Sequence, residues 1–507
     1  MGHFFITTAI DYSNGDPHLG HAFEKVGADC IARYHRLKGD DVWFLIGMDE
    51  HGQKVAQTAA DQGITPQALV DQVAKSFQRT WAELNISYDQ FIRTTAPEHK
   101  AAVGELIEKI FARNPDDFYE KSYSGLYCVG CESFKTESEI VDGHCALHPT
   151  RTLEFVEERN WFFRLSRYQK FLEDLLARKP EFVQPEIRRN EILGLLREGL
   201  EDVSASRSRF SWGVPFPRPT SDGEIQTTYV WFDALPNYWT AQRFPDSRAG
   251  WPAQVHVVGK DITRFHTVIW PAMLEAAGEA LPEQVWAHGF IYLGGDRFSK
   301  SAGVRLELSE AIAHHGPDAL RYFLIREVGF SGDGEFSWER FDARYNSDLA
   351  DGLGNLASRS LAMIEKYRAG VVPEGVDTPL DAAGQAALAA YRKAMDTTDL
   401  KGGAEAVWGL VGEANQFIVQ KAPWTLAKEG KDSELDATLA ALVRCLLRLA
   451  VLTSPFLPGK AEELWSHLGL DGQAGKTRIQ GLDHPKVAGL KVTKPAGLFP
   501  KADPSKS

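Results

Sequence analysis

Long apolar runs are the most evident thing this chain lacks. No stretch of about 18 uninterrupted apolar residues occurs, so nothing in it reads as a membrane span. There is little room for a leader either, because the apolar run Phe4-Phe5-Ile6 opens a strand almost at once. Met1-Gly2 invites N-myristoylation, but Ile6 stands where Ser or Thr is wanted. A cytoplasmic protein is expected. Positive charge is also short: the net charge is −13, which excludes a general nucleic-acid coat but leaves room for a local basic groove. The deficit is uneven, since residues 346–507 carry 19 Lys+Arg against 19 Asp+Glu. An RNA partner would meet least repulsion there. Cysteine is scarce, and the five present cannot all pair. No internal repeat or low-complexity tract stands out.

What is there is length: 507 residues exceed a single core, so roughly two to four domains are expected. Residues 1–115 alternate short apolar strands with helical patterns. The segments are Asp41–Ile46 as a buried strand, then helices over Gln53–Gly63 and Pro66–Leu84. Such alternation means a parallel sheet with ligands at the carboxyl ends of its strands. Over 116–220 the pattern breaks into Tyr, Cys, Gly and acidic residues, with helices expected at Ser166–Arg178 and Pro185–Glu198. This reads as an insertion. Strand–helix alternation resumes over 221–290, with Thr228–Phe232 and Val255–Val258 as strands. Residues 291–347 form a loop and linker, and 348–507 read as a separate, almost wholly helical bundle.

Three stretches carry chemistry. The first is TAIDYSNGDPHLGH, residues 8–21, on a strand–loop–helix connection. A helix N-terminus offers unpaired N–H groups and partial positive charge, as a phosphate site requires. His18 and His21 face one side of that turn, and Gly20 leaves room for a flat ring. Plain helix capping by the two histidines is the alternative. The second stretch is Cys128-x-x-Cys131, then 13 intervening residues, then Cys145-x-x-His148. Two close pairs wrap a tetrahedral zinc ion from two sides; with all four ligands from protein, the site is structural. The third is Arg297-Phe298-Ser299-Lys300-Ser301 between Gly294, Gly295 and Gly303, a basic loop suited to clamping a polyphosphate.

Together, HLGH and RFSKS resemble the HIGH and KMSKS signatures of the class I aminoacyl-tRNA synthetases. TTAIDYSNGDPHLGH, GMDEHG, the CxxC…CxxH knuckle, YVWFDALPNYW, GKDITRFHTVIWPAML, NLASR, KAPWTLAK and LFP narrow the resemblance to the methionyl-tRNA synthetase family. That resemblance implies an α/β fold: a Rossmann-like parallel sheet domain with a zinc-knuckle insertion, followed by an all-α helical bundle. It implies a methionine–tRNA ligase that forms methionyl-adenylate from L-methionine and ATP, then esterifies tRNA(Met).

By the same resemblance His18, His21 and Lys300 are catalytic, and Gly20, Gly259, Asp261, Arg297 and Ser299 join Lys300 in binding ATP with Mg²⁺. Methionine falls to Ala9, Ile10, Tyr12, Asp49, Trp231, Ala234, Tyr238, Ile262, Phe265, His266 and Trp270, with Asp49 on the ammonium. A polarizable thioether suits such aromatic surroundings. The CAU anticodon falls to Asn355, Arg359, Pro423 and Trp424, where an aromatic ring offers a stacking platform.

Departures exist. RFSKS puts Arg297 and Phe298 where Lys and Met are usual, AGVRLEL replaces the usual Asn-Val-Val-Asp-Pro pattern, and Asp11 stands in place of Pro. A class I synthetase for another apolar amino acid is one alternative. The insertion is too short for the editing domain such enzymes need, because one methylene separates ligands by only about 1–3 kcal/mol. A non-catalytic tRNA-binding protein of the same fold is the other, opposed by the intact histidines and lysine. The absence of an appended dimerising module suggests a monomer.

Overall fold

The computed structural model describes residues 2–501 apart from 129–132, 136–138, 147, 209–210, 294–295 and 298–305. Its centre is a seven-stranded sheet among the described residues. The strands run in the order Val183–Gln184, Gln284–His288, Val255–Gly259, His3–Thr8, Asp41–Asp49, with Asp11–Tyr12 and Gln90–Arg93 both paired to the last of these. Every pairing in it is parallel. Phe5, Phe44, Leu45, Ile46 and Val257 have no exposed surface, so the sheet is covered on both faces, as parallel sheets require.

The helix Leu19–Lys38 follows the first strand and is almost entirely buried. His18 caps its N-terminus and Gly39 ends it, at φ 103, with its N–H donating to the carbonyls of His35 and Arg36. Only glycine enters that backbone region without strain.

The insertion is mainly antiparallel. Phe118–Cys128 pairs along its length with Glu154–Phe163, and Ser133–Lys135 and Val203–Ser204 flank them. A smaller three-stranded sheet holds Ile140–Val141, His144–Cys145 and His148–Thr152. The two expected helices appear as Gln169–Arg178 and Glu186–Glu198.

Two expectations are corrected. Residues 228–232 are not a strand: pairing stops at Thr227–Thr228, and Val230–Ala234 is helical. Their β-branched and aromatic composition favours a strand, but tertiary contacts decide, because helix formation turns Asp233 inward onto two histidines. The final stretch is likewise not helical. After Pro458–His467 the chain makes only two short 3₁₀ turns and then runs irregularly, in keeping with its many Gly and Pro residues. Arg448, buried in the helix Asp432–Thr453, donates to the carbonyls of Leu482 and Asp483 and holds this stretch down.

The bundle packs on the sheet domain through a shared core. One hydrophobic cluster runs continuously from Ile6 to Phe499. Arg321 pins the junction, donating to Asp29 at 2.6 Å, to the Pro455 carbonyl at 2.7 Å and to the Leu84 carbonyl at 3.1 Å.

Candidate active site

Four neighbouring strands deliver their carboxyl ends to one cavity of about 370 Å³. Ala9 to Tyr12 enter from the first strand, Asp49 from Asp41–Asp49, Gly259 from Val255–Gly259, and His288 to Ile291 from Gln284–His288. The helix N-terminus bearing His18, Gly20 and His21 closes one side, and Trp231, Asp261 and Ile262 the other. A volume of this size suits a small ligand.

Capping and function coincide in the two histidines. His18 Nδ1 accepts from the Gly20 and His21 N–H groups, and His21 Nδ1 accepts from the His18 N–H at 3.2 Å. The rings stack with centroids 3.7 Å apart. With Nδ1 accepting, a neutral imidazole carries its proton on Nε2, so each ring is a donor there. Both donors sit beside the positive end of a helix dipole. Gly20 makes room for a ring, and the ring is that of His18: a Cβ on Gly20 would stand 3.0 Å from His18 Cε1.

At the other end the site is aromatic. Trp231 and Phe265 stack face to face at 3.8 Å. Behind them the Tyr238 hydroxyl donates to His266 Nε2 at 2.7 Å, while His266 Nδ1–H donates to the Ile262 carbonyl at 3.0 Å. Both ring nitrogens are therefore used by a neutral imidazole, and burial holds the His266 pKa down to about 4. Of the residues expected to bind methionine, Ala9, Ile10, Tyr12, Asp49, Trp231 and Ile262 line the cavity. Ala234, Tyr238, His266 and Trp270 are buried. Trp270 packs against Tyr238 and donates to His256 Nε2 at 3.4 Å.

Sequence reasoning missed the charges beneath this cavity. Lys25 has no exposed surface and donates to Asp11 at 2.9 Å, to Glu24 at 2.8 Å and to the Ala9 carbonyl at 3.0 Å. Glu24 is also joined to His288 Nε2 at 3.1 Å. Burial lifts the Asp11 pKa to about 7. Burial acts in the same sense on Glu24, but Lys25 and His288 outweigh it and the pKa falls below the usual carboxylate range. Beside this set, Asp233 joins His51 Nδ1 at 2.6 Å and His99 Nε2 at 2.9 Å, all three buried. Burial opposes ionisation of Asp233, but the two imidazoles prevail and bring its pKa down to about 2. In sequence, Glu24 and Lys25 look like the solvated face of a helix. The one available signal was the pairing of Asp11, a departure already noted, with a lysine on the same strand–loop–helix unit.

In the bundle, Asn355 and Arg359 share a shallow cleft with Asp351, Asn415, Gln416 and Gln420. Pro423 begins the short helix Pro423–Lys428 and is buried, whereas Trp424 beside it is 47% exposed. The ring is therefore not core.

Comparison with known proteins agrees with this geometry. The family profile described as tRNA synthetases class I (M) matches residues 4–152 and 135–361, and that for the anticodon binding domain of methionyl tRNA ligase matches residues 369–506. A methionine–tRNA ligase of Streptomyces coelicolor is 40% identical, covering 99% of this chain and 97% of its own length. The chain belongs to the methionyl-tRNA synthetase family. Among solved structures, Mycobacterium tuberculosis methionyl-tRNA synthetase in complex with methionyl-adenylate superposes with a TM-score of 0.92 at 40% identity, covering 99% of this chain and all of that one. The apo form of the M. tuberculosis enzyme, at 37% identity and 99% coverage of both chains, gives 0.86.

For a synthetase of this family several expected site residues fall outside the description. Ser299, Lys300 and Cys131 are not among the described residues, nor are the side chains of Arg297 and His148. Of the knuckle, Cys128 and Cys145 are buried, and Cys145 lies opposite His148 across an antiparallel pair.

Proposed function

We propose the division of labour by which this methionine–tRNA ligase works. The methionine ammonium sits on Asp49, and the side chain lies against Ile10, Tyr12, Trp231 and Ile262 at the mouth of the aromatic layer. Phe265 supports Trp231, and Tyr238, His266, Ala234 and Trp270 shape the layer from behind. A neutral His266 suits a thioether, which carries no charge to balance. Gly259 and Asp261 take the nucleoside ribose, where an acceptor meets hydroxyl donors. A methionine carboxylate oxygen then attacks the α-phosphorus; the new P–O bond forms as the bond to the β-phosphate oxygen breaks, and pyrophosphate leaves. His18 and His21 hold Nε2–H donors toward the phosphates through this step, which needs electrostatic stabilisation more than covalent help. Arg297, Ser299 and Lys300 bind the same phosphates. Mg²⁺ arrives with ATP and balances its charge; no residue here is assigned to it. In the second step a ribose hydroxyl at the 3′ end of tRNA(Met) attacks the acyl carbon and AMP departs.

The observation that carries this reading is the stacked pair of capped imidazoles on the cavity that also receives Asp49. Buried Cys128 and Cys145 with His148 opposite suit a structural zinc ion completed by Cys131, which would tie the insertion together. Asn355, Arg359 and Trp424 read the anticodon, buried Pro423 fixes the helix that presents Trp424, and the chain works as a cytoplasmic monomer.

Methionine-dependent exchange of pyrophosphate into ATP tests the core of this. His21→Ala is expected to lower its rate by about 10²–10³-fold, the loss typical when one donor to a charged transition state is removed. Exchange driven by another amino acid, or exchange untouched in His21→Ala, would overturn it.

A further inference from the structure

Away from the cavity, the helix Leu308–His315 ends on two consecutive histidines. Both aim at one atom. His314 Nε2 and His315 Nε2 each lie 2.7 Å from Asp342 Oδ1, on the helix Trp338–Arg344. Aromatic neighbours fix the two rings in this pose. His315 stacks on Tyr345 at 3.9 Å with the planes 3° apart, and His314 packs on Trp338 at 4.8 Å. One carboxylate oxygen has lone pairs enough to accept from both imidazoles. Two rings, each held by its own neighbour and converging on one oxygen, make a three-donor cluster whose ligand atoms lie within 4.8 Å of one another.

From this geometry we propose that His314, His315 and Asp342 form a binding site for a divalent transition metal of the zinc class. The donor set is right: imidazole nitrogens with one carboxylate suit zinc, cobalt and nickel, and three protein ligands leave a position for water. In a tetrahedral zinc site, ligand atoms stand about 3.3 Å apart, so the cluster must open by about 0.6 Å to admit the ion. The Asp342 carboxylate supplies that movement, because it is half-buried and sits on a neighbouring helix, while exposed His314 gives the ion a path in. The carbonyl end of Leu308–His315 also carries partial negative charge, which favours a cation there. The site is separate from the Cys-rich knuckle in chain and in chemistry, having no sulfur ligand.

Its position gives it a consequence. Leu308–His315 begins just after residues 298–305, which carry most of the RFSKS stretch, and Trp338–Arg344 leads through Tyr345–Gly354 to Asn355 and Arg359. A bound ion braces the segment following that loop against the segment leading to the bundle.

The test is metal stoichiometry on the full-length protein, stripped with chelator and dialysed against micromolar Co²⁺ or Zn²⁺. Wild type is expected to bind one equivalent more than His314→Ala and one more than Asp342→Asn, whatever the knuckle holds. With Co²⁺ the extra equivalent should show visible d–d bands without the near-ultraviolet thiolate charge-transfer band. It should survive in a Cys128→Ser, Cys145→Ser variant. Methionine-dependent exchange in Mg²⁺ buffer without added Co²⁺ or Zn²⁺ should be unchanged in His314→Ala, showing that the variant is folded. Equal stoichiometry in wild type and His314→Ala overturns the site, as does an extra equivalent that disappears with the two cysteines.

Discussion

Charged groups are used in opposite ways at the two ends of this molecule. Under the cavity they are buried and committed to one another: Lys25 to Asp11 and Glu24, Glu24 to His288, Asp233 to His51 and His99. At the outer face of the bundle, Asn355, Arg359, Gln416, Gln420 and Trp424 stand at a shallow cleft or in solvent. On the proposed division of labour the cavity holds a triphosphate and a zwitterion in fixed register, and a dry polar network keeps its strand ends from shifting. On the same proposal the bundle face accepts a large, hydrated polyanion, and solvated side chains cost little to expose. Damage at the first end should therefore spread into stability, and damage at the second should stay local.

The largest expected difference is at Lys25. Lys25→Met leaves Asp11 and Glu24 buried without their cation, which costs about 3–5 kcal/mol when one partner of a buried pair is removed. Arg359→Ala should change stability by no more than about 0.5 kcal/mol. Urea unfolding of the two variants against wild type measures both. A Lys25→Met midpoint no lower than that of Arg359→Ala would break the comparison.

Next comes acid. Burial holds His266 down to about 4 and pushes His256 well below its ordinary value. In the unfolded chain these imidazoles take up protons near pH 6.5, so between pH 6.5 and 4 the unfolded state binds protons that the folded state refuses. Stability must then rise with pH across that window and be lost as pH falls through it. His266 alone accounts for about 3 kcal/mol of the loss at the acid end. Thermal unfolding at pH 7 and pH 5 should show a smaller difference in His266→Asn than in wild type. Equal differences would mean that the imidazole behind Trp231 is not held neutral.

The same contrast explains what the sequence could and could not reveal. His18, Gly20 and His21 were legible because they open a helix after a strand, where spacing and turn residues leave a local signature, whereas Asp49 and Gly259 were named only through the family resemblance. Lys25 was not legible, because apart from adjacent Glu24 its partners, Asp11 and the Ala9 carbonyl, lie 14 and 16 residues away, and a lysine on a helix normally faces water. His51 and His99 meet at Asp233 from 182 and 134 residues away, and no local pattern encodes that meeting. The strand order of the sheet was legible only as a class, since alternation implies parallel pairing but does not say which strands are neighbours. Residues 228–232 misled for a related reason: composition favoured a strand, while the buried contacts of Asp233 required a helix. His314 and His315 showed no pattern at all until Asp342 was brought beside them.

The smallest effect, and the one that sharpens the comparison most, belongs to Trp424. Its helix is fixed by buried Pro423 and Leu426, while the ring projects from it at 47% exposure. The side chain adds little to folding, so Trp424→Ala should leave the unfolding midpoint nearly unchanged. An unpaired base stacking on the ring would contribute about 1–3 kcal/mol, so the variant should lose about 5–150-fold in aminoacylation kcat/KM for tRNA(Met), mostly through KM. Exchange of pyrophosphate into ATP involves no tRNA and should proceed at the wild-type rate. Trp424→Phe should recover most of the loss, since a smaller ring still stacks. If Trp424→Ala slowed exchange as much as charging, the two ends would be coupled through the continuous core that joins them, and the separation between committed and solvated charge would describe burial without describing function.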